Sequence, residues 1–180
     1  MINKTLIFFS IFFHLISFNL FGNEQLSFDV TEIEILDGGD RIIGKNRGVI
    51  KSNDGIVIEA DEFEFNKIKN ILQAQGNILI EDQINKYNFS TESIKYYMNE
   101  ERIELNGKTE ASIDTNYKFS SQNIIILRND MIISSDVGVT ILDNINQTRY
   151  EIGKFSYSLK EETLKGEKIF IHTKYNQPFS

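Results

Sequence analysis

The residues able to do bond chemistry in this chain are few. Of 180 residues, two are histidine and none is cysteine. His14 falls in an apolar N-terminal stretch, so only His172 is left beyond it. One imidazole cannot build a multi-histidine metal centre. The missing thiols exclude disulfides, thiolate metal sites, a cysteine nucleophile and a lipidated cysteine at a mature N-terminus. Serine is plentiful, but no G-x-S-x-G elbow occurs. Glu59, Asp61, Glu62 and Glu64 could supply an acid and base pair of the kind that cleaves glycosides. They alternate with apolar residues, however, which puts them on a solvated outer face. Asn88-Phe-Ser and Asn146-Gln-Thr match the glycosylation triplet, which is short enough to arise by chance. No catalytic residue, metal or cofactor is assigned, and the expectation is a protein that is not an enzyme.

The remaining chemistry is apolar burial, and one stretch sets its geometry. In Ile58-Glu-Ala60-Asp61-Glu62-Phe63-Glu-Phe65, Ile58 and Ala60 share one face at period two, as do Phe63 and Phe65. The two residues between the pairs move the apolar face from even to odd positions. A straight strand cannot bury both pairs on one side, so the stretch predicts strand, corner or bulge, strand. The figure recurs at Phe28-x-Val30-Thr-Glu-Ile33-x-Ile35, Phe89-x-Thr91-Glu-Ser-Ile94-x-Tyr96, Phe119-x-Ser121-Gln-Asn-Ile124-x-Ile126 and Tyr150-x-Ile152-Gly-Lys-Phe155-x-Tyr157. The copies start at 28, 58, 89, 119 and 150, steps of 30, 31, 30 and 31. Five copies at a near-constant step are an internal repeat, and each reads as strand, corner, strand, turn, strand. Gly76 and Gly107 stand 18 residues after the starts of their units, where the next copy has Val137 beside Gly138. Asp37-Gly38-Gly39-Asp40 and Asn53-Asp54-Gly55 read as tight turns.

Composition agrees with an all-β domain. The chain has one proline and takes much of its apolar content from β-branched residues, Phe and Tyr. The formal net charge is −7, or −8 once Lys4 leaves with the N-terminal segment. An acidic chain without a basic stripe is a poor nucleic-acid binder, so no nucleic-acid partner is expected. Residues 1–22 read as a signal peptide, with Lys4 before an apolar run rich in phenylalanine and Gly22 ahead of polar Asn23-Glu24-Gln25. The alternative is a retained anchor, although His14 and Asn19 interrupt the run. Residues 23–180 then form one exported domain.

Stacked units would line a continuous apolar trough. Its expected lining is Ile58, Phe63, Phe65, Ile78, Phe89, Ile94, Tyr96, Ile103, Leu105, Phe119, Ile124, Ile126, Val137, Val139, Phe155 and Tyr157. Periodicity alone leaves two readings, a closed packed core or a groove that accepts acyl chains. Acyl binding needs no positive charge, which suits an acidic chain.

Ile58-Glu-Ala60-Asp61-Glu-Phe63-Glu-Phe65, followed by Leu72-Gln-Ala74-Gln-Gly76-Asn77-Ile78-Leu-Ile80, resembles the OstA-like family of lipopolysaccharide-transport (Lpt) proteins. The resemblance runs over about residues 28–173 and is sharpest in 44–82. It implies a V-shaped β-jelly roll, solenoid-like in its stacking, with an open apolar interior. It also implies a periplasmic, outer-membrane-associated location and lipopolysaccharide as cargo, carried by its lipid A acyl chains. Its partners would be other OstA-like Lpt proteins, joined head to tail by strand addition at the sheet edges. The later copies depart from the signature at Thr91-Glu-Ser, Ser121-Gln-Asn and Ile152-Gly-Lys. Either a stand-alone bridge protein or the N-terminal part of a longer barrel protein fits the resemblance; the opening Phe28–Ile35 run leans toward the latter. Two competing classes stay open: a structural or adhesive cell-surface β-solenoid without lipid cargo, and a carbohydrate-active jelly roll.

Overall fold

The computed structural model describes residues 26–113 and 116–174. The expected signal peptide, residues 1–22, lies outside the described residues. Twelve strands follow one another with short turns: β1 (Ser27–Leu36), β2 (Arg41–Lys51), β3 (Ile56–Ala60), β4 (Glu62–Asn66), β5 (Ile71–Asp82), β6 (Tyr87–Tyr97), β7 (Arg102–Ile113), β8 (Tyr117–Leu127), β9 (Ile132–Ser135), β10 (Val139–Asp143), β11 (Thr148–Ser158) and β12 (Thr163–His172). All pair antiparallel in a single sheet of order β1-β2-β3-β5-β6-β7-β8-β10-β11-β12. β4 fills the second half of the β3 path between β2 and β5, and β9 does the same beside β10. The molecule is therefore a meander of ten long strands, two to each sequence repeat.

In seven of the ten long strands the buried positions mark a corner at mid-length. Ala60 to Phe63, Thr91 to Ile94, Ser121 to Ile124 and Ile152 to Phe155 are steps of three between buried residues. On the returning strands, Ala74 to Ile78, Leu105 to Thr109 and Ser135 to Val139 are steps of four. The register shifts between Gln75 and Ile78, and between Asn106 and Thr109, where two residues oppose one on the neighbouring strand. A bulge of this kind bends the strand and lets both neighbours turn at the same level. Gly76 and Gly107 take φ of 78° and 85° there, values that L side chains rarely adopt.

The corner folds the sheet into two limbs whose apolar faces meet. Phe28, before its corner, packs on Phe65, beyond one, with ring centroids 6.0 Å apart. Phe119 meets Phe155 at 6.4 Å and Tyr157 at 6.3 Å in the same way. The fold is thus an all-β jelly roll of stacked units around an apolar interior; the repeat predicts the stacking, and the resemblance implies the jelly roll. At the seam, small hydroxyls satisfy backbone carbonyls: Thr91 donates to the Asn106 carbonyl at 3.1 Å and Ser121 to that of Gly138 at 2.6 Å. Two of the three copies that depart from Ala60-Asp61 therefore carry a hydrogen-bonding residue in place of Ala60, whereas the third keeps an apolar one, Ile152.

Turns form two rims opposite the seam, and neighbouring turns are tied in rungs. Lys67 N–H donates to the Asp40 carbonyl, Met98 to Asn70, Arg128 to Glu101 and Leu159 to Met131 along one rim. On the other rim, Asp82 accepts from the N–H groups of Ile84 and Asn85, and Asp143 from those of Ile145 and Asn146. Both are Asx turns at equivalent places two units apart.

Candidate functional site: an apolar interior and its rim

Fourteen of the sixteen expected lining residues lie in the buried core. Tyr157 is part-buried against it. Val137 does not belong there, being 57% exposed. It occupies the place that Gly76 and Gly107 hold in the other returning strands, the outer side of the four-residue corner, and Gly138 beside it takes the positive φ of 95°. Alternation carried through Ser135 breaks at that bulge, so the inward residue after Ser135 is Val139.

Through the middle units the inner face is filled by its own side chains. Leu72, Tyr96, Ile103, Leu105 and Ile126 are all 0–1% exposed. The interior opens toward its two ends. Leu26, Phe28, Val30 and Ile42 are only partly buried at the β1 end, and Tyr150, Tyr157 and Leu159 at the β11 end. Burial pushes the Tyr157 phenol up, with the Glu162 charge adding to it.

Among the described residues, both end strands are unpaired on their outer side. All ten residues of β12 are exposed, including Phe170 at 65% and Ile171 at 59%. β1 exposes Ile33 and Ile35. β1 carries Asp29, Glu32 and Glu34 with no cation, whereas β12 carries Lys165 and Lys168 against Glu167.

The side chains that could have supported catalysis are used otherwise. Glu59 and Asp61 both pair with Arg47, at 3.0 and 3.2 Å, and are substantially exposed. Glu64 pairs with Arg41 at 3.0 Å, and Glu62 accepts from the Gln75 amide at 2.9 Å. His172 sits exposed at the end of β12, 3.9 Å from Glu151. Among the described residues no group of three or more His, Cys, Asp or Glu is placed to hold a metal ion. A concavity of about 640 Å³ does occur, lined by Val57, Leu79, Leu142, Glu110 and Lys118 among others, but it lies on the outer face of one limb.

Sequence reasoning missed a charged cluster where the two rims meet. Arg128, on the β8–β9 turn, has a side chain only 8% exposed. Its Nη1 donates to Asp54 and to Glu101, and to the Tyr96 hydroxyl at 3.1 Å; its Nη2 donates to Asp82 at 3.5 Å. Tyr96 in turn donates to Glu101 at 3.1 Å. Burial alone would raise the Asp54 carboxyl, but hydrogen bonds from Ser52 and Arg128, with the Arg128 charge, hold it below the usual carboxylate range. Burial, then the nearby Asp82 carboxylate, pushes the Tyr87 phenol far up. The Tyr87 hydroxyl and Arg128 Nε are buried without a hydrogen-bond partner. No local pattern could announce this cluster, because Arg128 and Asp54 are 74 residues apart in sequence.

No family model matches the chain, and no curated protein matches it. Among solved structures the chain is similar to LptH, described as the LptA homologous periplasmic component of the lipopolysaccharide transport device from Pseudomonas aeruginosa. The two are 9% identical, with a TM-score of 0.36, over 84% of this chain and 96% of that one. Identity and score at this level support no inference about function.

Proposed function

We propose that this chain is an exported carrier of lipid acyl chains, acting in lipopolysaccharide transport to and assembly in the outer membrane. Acyl chains lie between the two limbs, and neighbouring OstA-like transport domains join through the edge strands. The observation that carries the reading is the continuity of the apolar inner face through five units, partly exposed at both ends beside an unpaired strand. Burying a methylene yields ~0.8 kcal/mol, so roughly a dozen would gain ~9 kcal/mol before the cost of ordering the chain. That is enough for capture without a charged site, and weak enough in net for release. The acidic β1 and the more basic β12 favour heterologous head-to-tail pairing over self-pairing of like edges. Residues 1–22 would direct export to the periplasm, leaving 23–180 as the working domain.

A photo-crosslinking residue at Phe119 tests the reading. On the inner face it should capture an acylated lipid in cells, whereas the same residue at Leu79, on the outer face of the same limb, should not. Absence of lipid at Phe119 in a folded protein would overturn it. A second reading, a structural β-solenoid without cargo, is favoured by the packing of the middle units, where Leu72 and Ile103 are fully enclosed. It expects apo protein at every position tested.

A further inference from the structure

We infer that Arg128 is a clasp between the two limbs and that its release opens the side of the apolar interior to an acyl chain. The use of the opening rests on the carrier reading above; the clasp itself does not. Three observations converge. The first is position: Arg128, Glu101 and Tyr96 belong to one limb, while Asp54, Asp82 and Tyr87 belong to the other, at the rim opposite the bulged seam. Nothing covalent crosses this rim, so the limbs can hinge about the seam only if the contacts through Arg128 part. The second is closure: with the inner residues of the middle units 0–4% exposed, no acyl chain fits between the limbs until they separate. The third is imbalance. One guanidinium faces three carboxylates, and both the Tyr87 hydroxyl and Arg128 Nε are buried unpaired. Buried polar groups without partners and carboxylates in excess disfavour the closed form, while the apolar packing beneath favours it. A contact balanced in this way can open without unfolding the seam, where β5, β6, β7 and β8 stay paired on both sides of each bulge.

The chain contains no cysteine, so spin labels attach only where cysteines are introduced. Labels at exposed Gln83 and Asp130, one on each rim, read the rim-to-rim distance by double electron–electron resonance. In the otherwise unaltered protein the account expects one narrow distribution. Arg128→Met, and separately Asp54→Ala for the case in which the first variant does not fold, should lengthen and broaden it. A folded variant with an unchanged distribution overturns the clasp. The same proteins are then mixed with a fluorescent dodecanoyl probe. Uptake should quicken about tenfold in Asp54→Ala, which removes one cross-limb ion pair, and by more in Arg128→Met, which removes two. A short bis-maleimide link between cysteines at positions 83 and 130 should slow it correspondingly. Equal rates in loosened, linked and unaltered protein overturn the entrance. Lengthened rims with no probe bound by any protein would sustain the clasp and contradict the carrier reading, so the two failures are told apart.

Discussion

The carboxylate of Asp61 lies over Gly76, its Oδ2 only 2.6 Å from where a Cβ on that glycine would stand. Asp61 also accepts from Arg47 and from the Asn77 amide at 2.7 Å, and its N–H donates to the Gly76 carbonyl at 3.0 Å. The Ala-Asp and Gly-Asn pairs that mark the sequence are thus the two sides of one corner. Glu92 covers Gly107 in the same manner one repeat later. Gly76→Ala should destabilise the protein by about 2 kcal/mol, because it combines a left-handed φ with a close contact. Gly38→Ala has a similar φ but open space around it and should cost less. Asp61→Ala should relieve part of the Gly76→Ala loss, which a double-mutant cycle by urea denaturation would measure.

The two sides of the four-residue corner make a matched pair of truncations. Leu105→Ala, at a fully enclosed position, should cost about 2–5 kcal/mol. Val137→Ala, on the outside of the corner, should stay within about 0.5 kcal/mol. Equal losses would mean that Val137 is internal after all.

Corner, repeat and core face were legible in the sequence because each is local. Two residues between Ala60 and Phe63 suffice to switch the face, and five copies at the same step fix the stacking. Val137 was misread because a bulge adds a residue without changing composition, and only the glycine at 138 hinted at it. The Arg128 cluster was out of reach for another reason. Its members come from four separate turns and strands, and they meet only once the sheet has folded about its seam.

Acid should weaken the fold in a defined window. The Asp54 carboxyl is held below its usual range despite burial, and Asp143 is held below by hydrogen bonds from the Asn146 N–H and side chain, then that of Ile145. A group depressed in the folded state stabilises it above the unfolded pKa, near 3.9, and that contribution is lost as pH falls through the folded value. Stability should therefore be level from neutral pH to about 5 and decline below about 4. Asp54→Asn should flatten the decline, as measured by denaturation midpoints across pH.

Edge complementarity predicts concentration-dependent self-association that weakens with salt. Lys165→Glu with Lys168→Glu on β12 should abolish it. Adding Glu32→Lys and Glu34→Lys on β1 should restore it, as read by sedimentation velocity. Association unaffected by the β12 changes would place the contact elsewhere.

Native mass spectrometry of the exported protein, purified gently from a cell that makes lipopolysaccharide, addresses the carrier claim most directly. The account predicts a population with added mass equal to an acylated lipid of lipid A type, lost when Ile124 is changed to Asp in a protein that still folds. Apo protein alone, with no adduct even after incubation with acyl lipid, would contradict it and leave a packed structural solenoid.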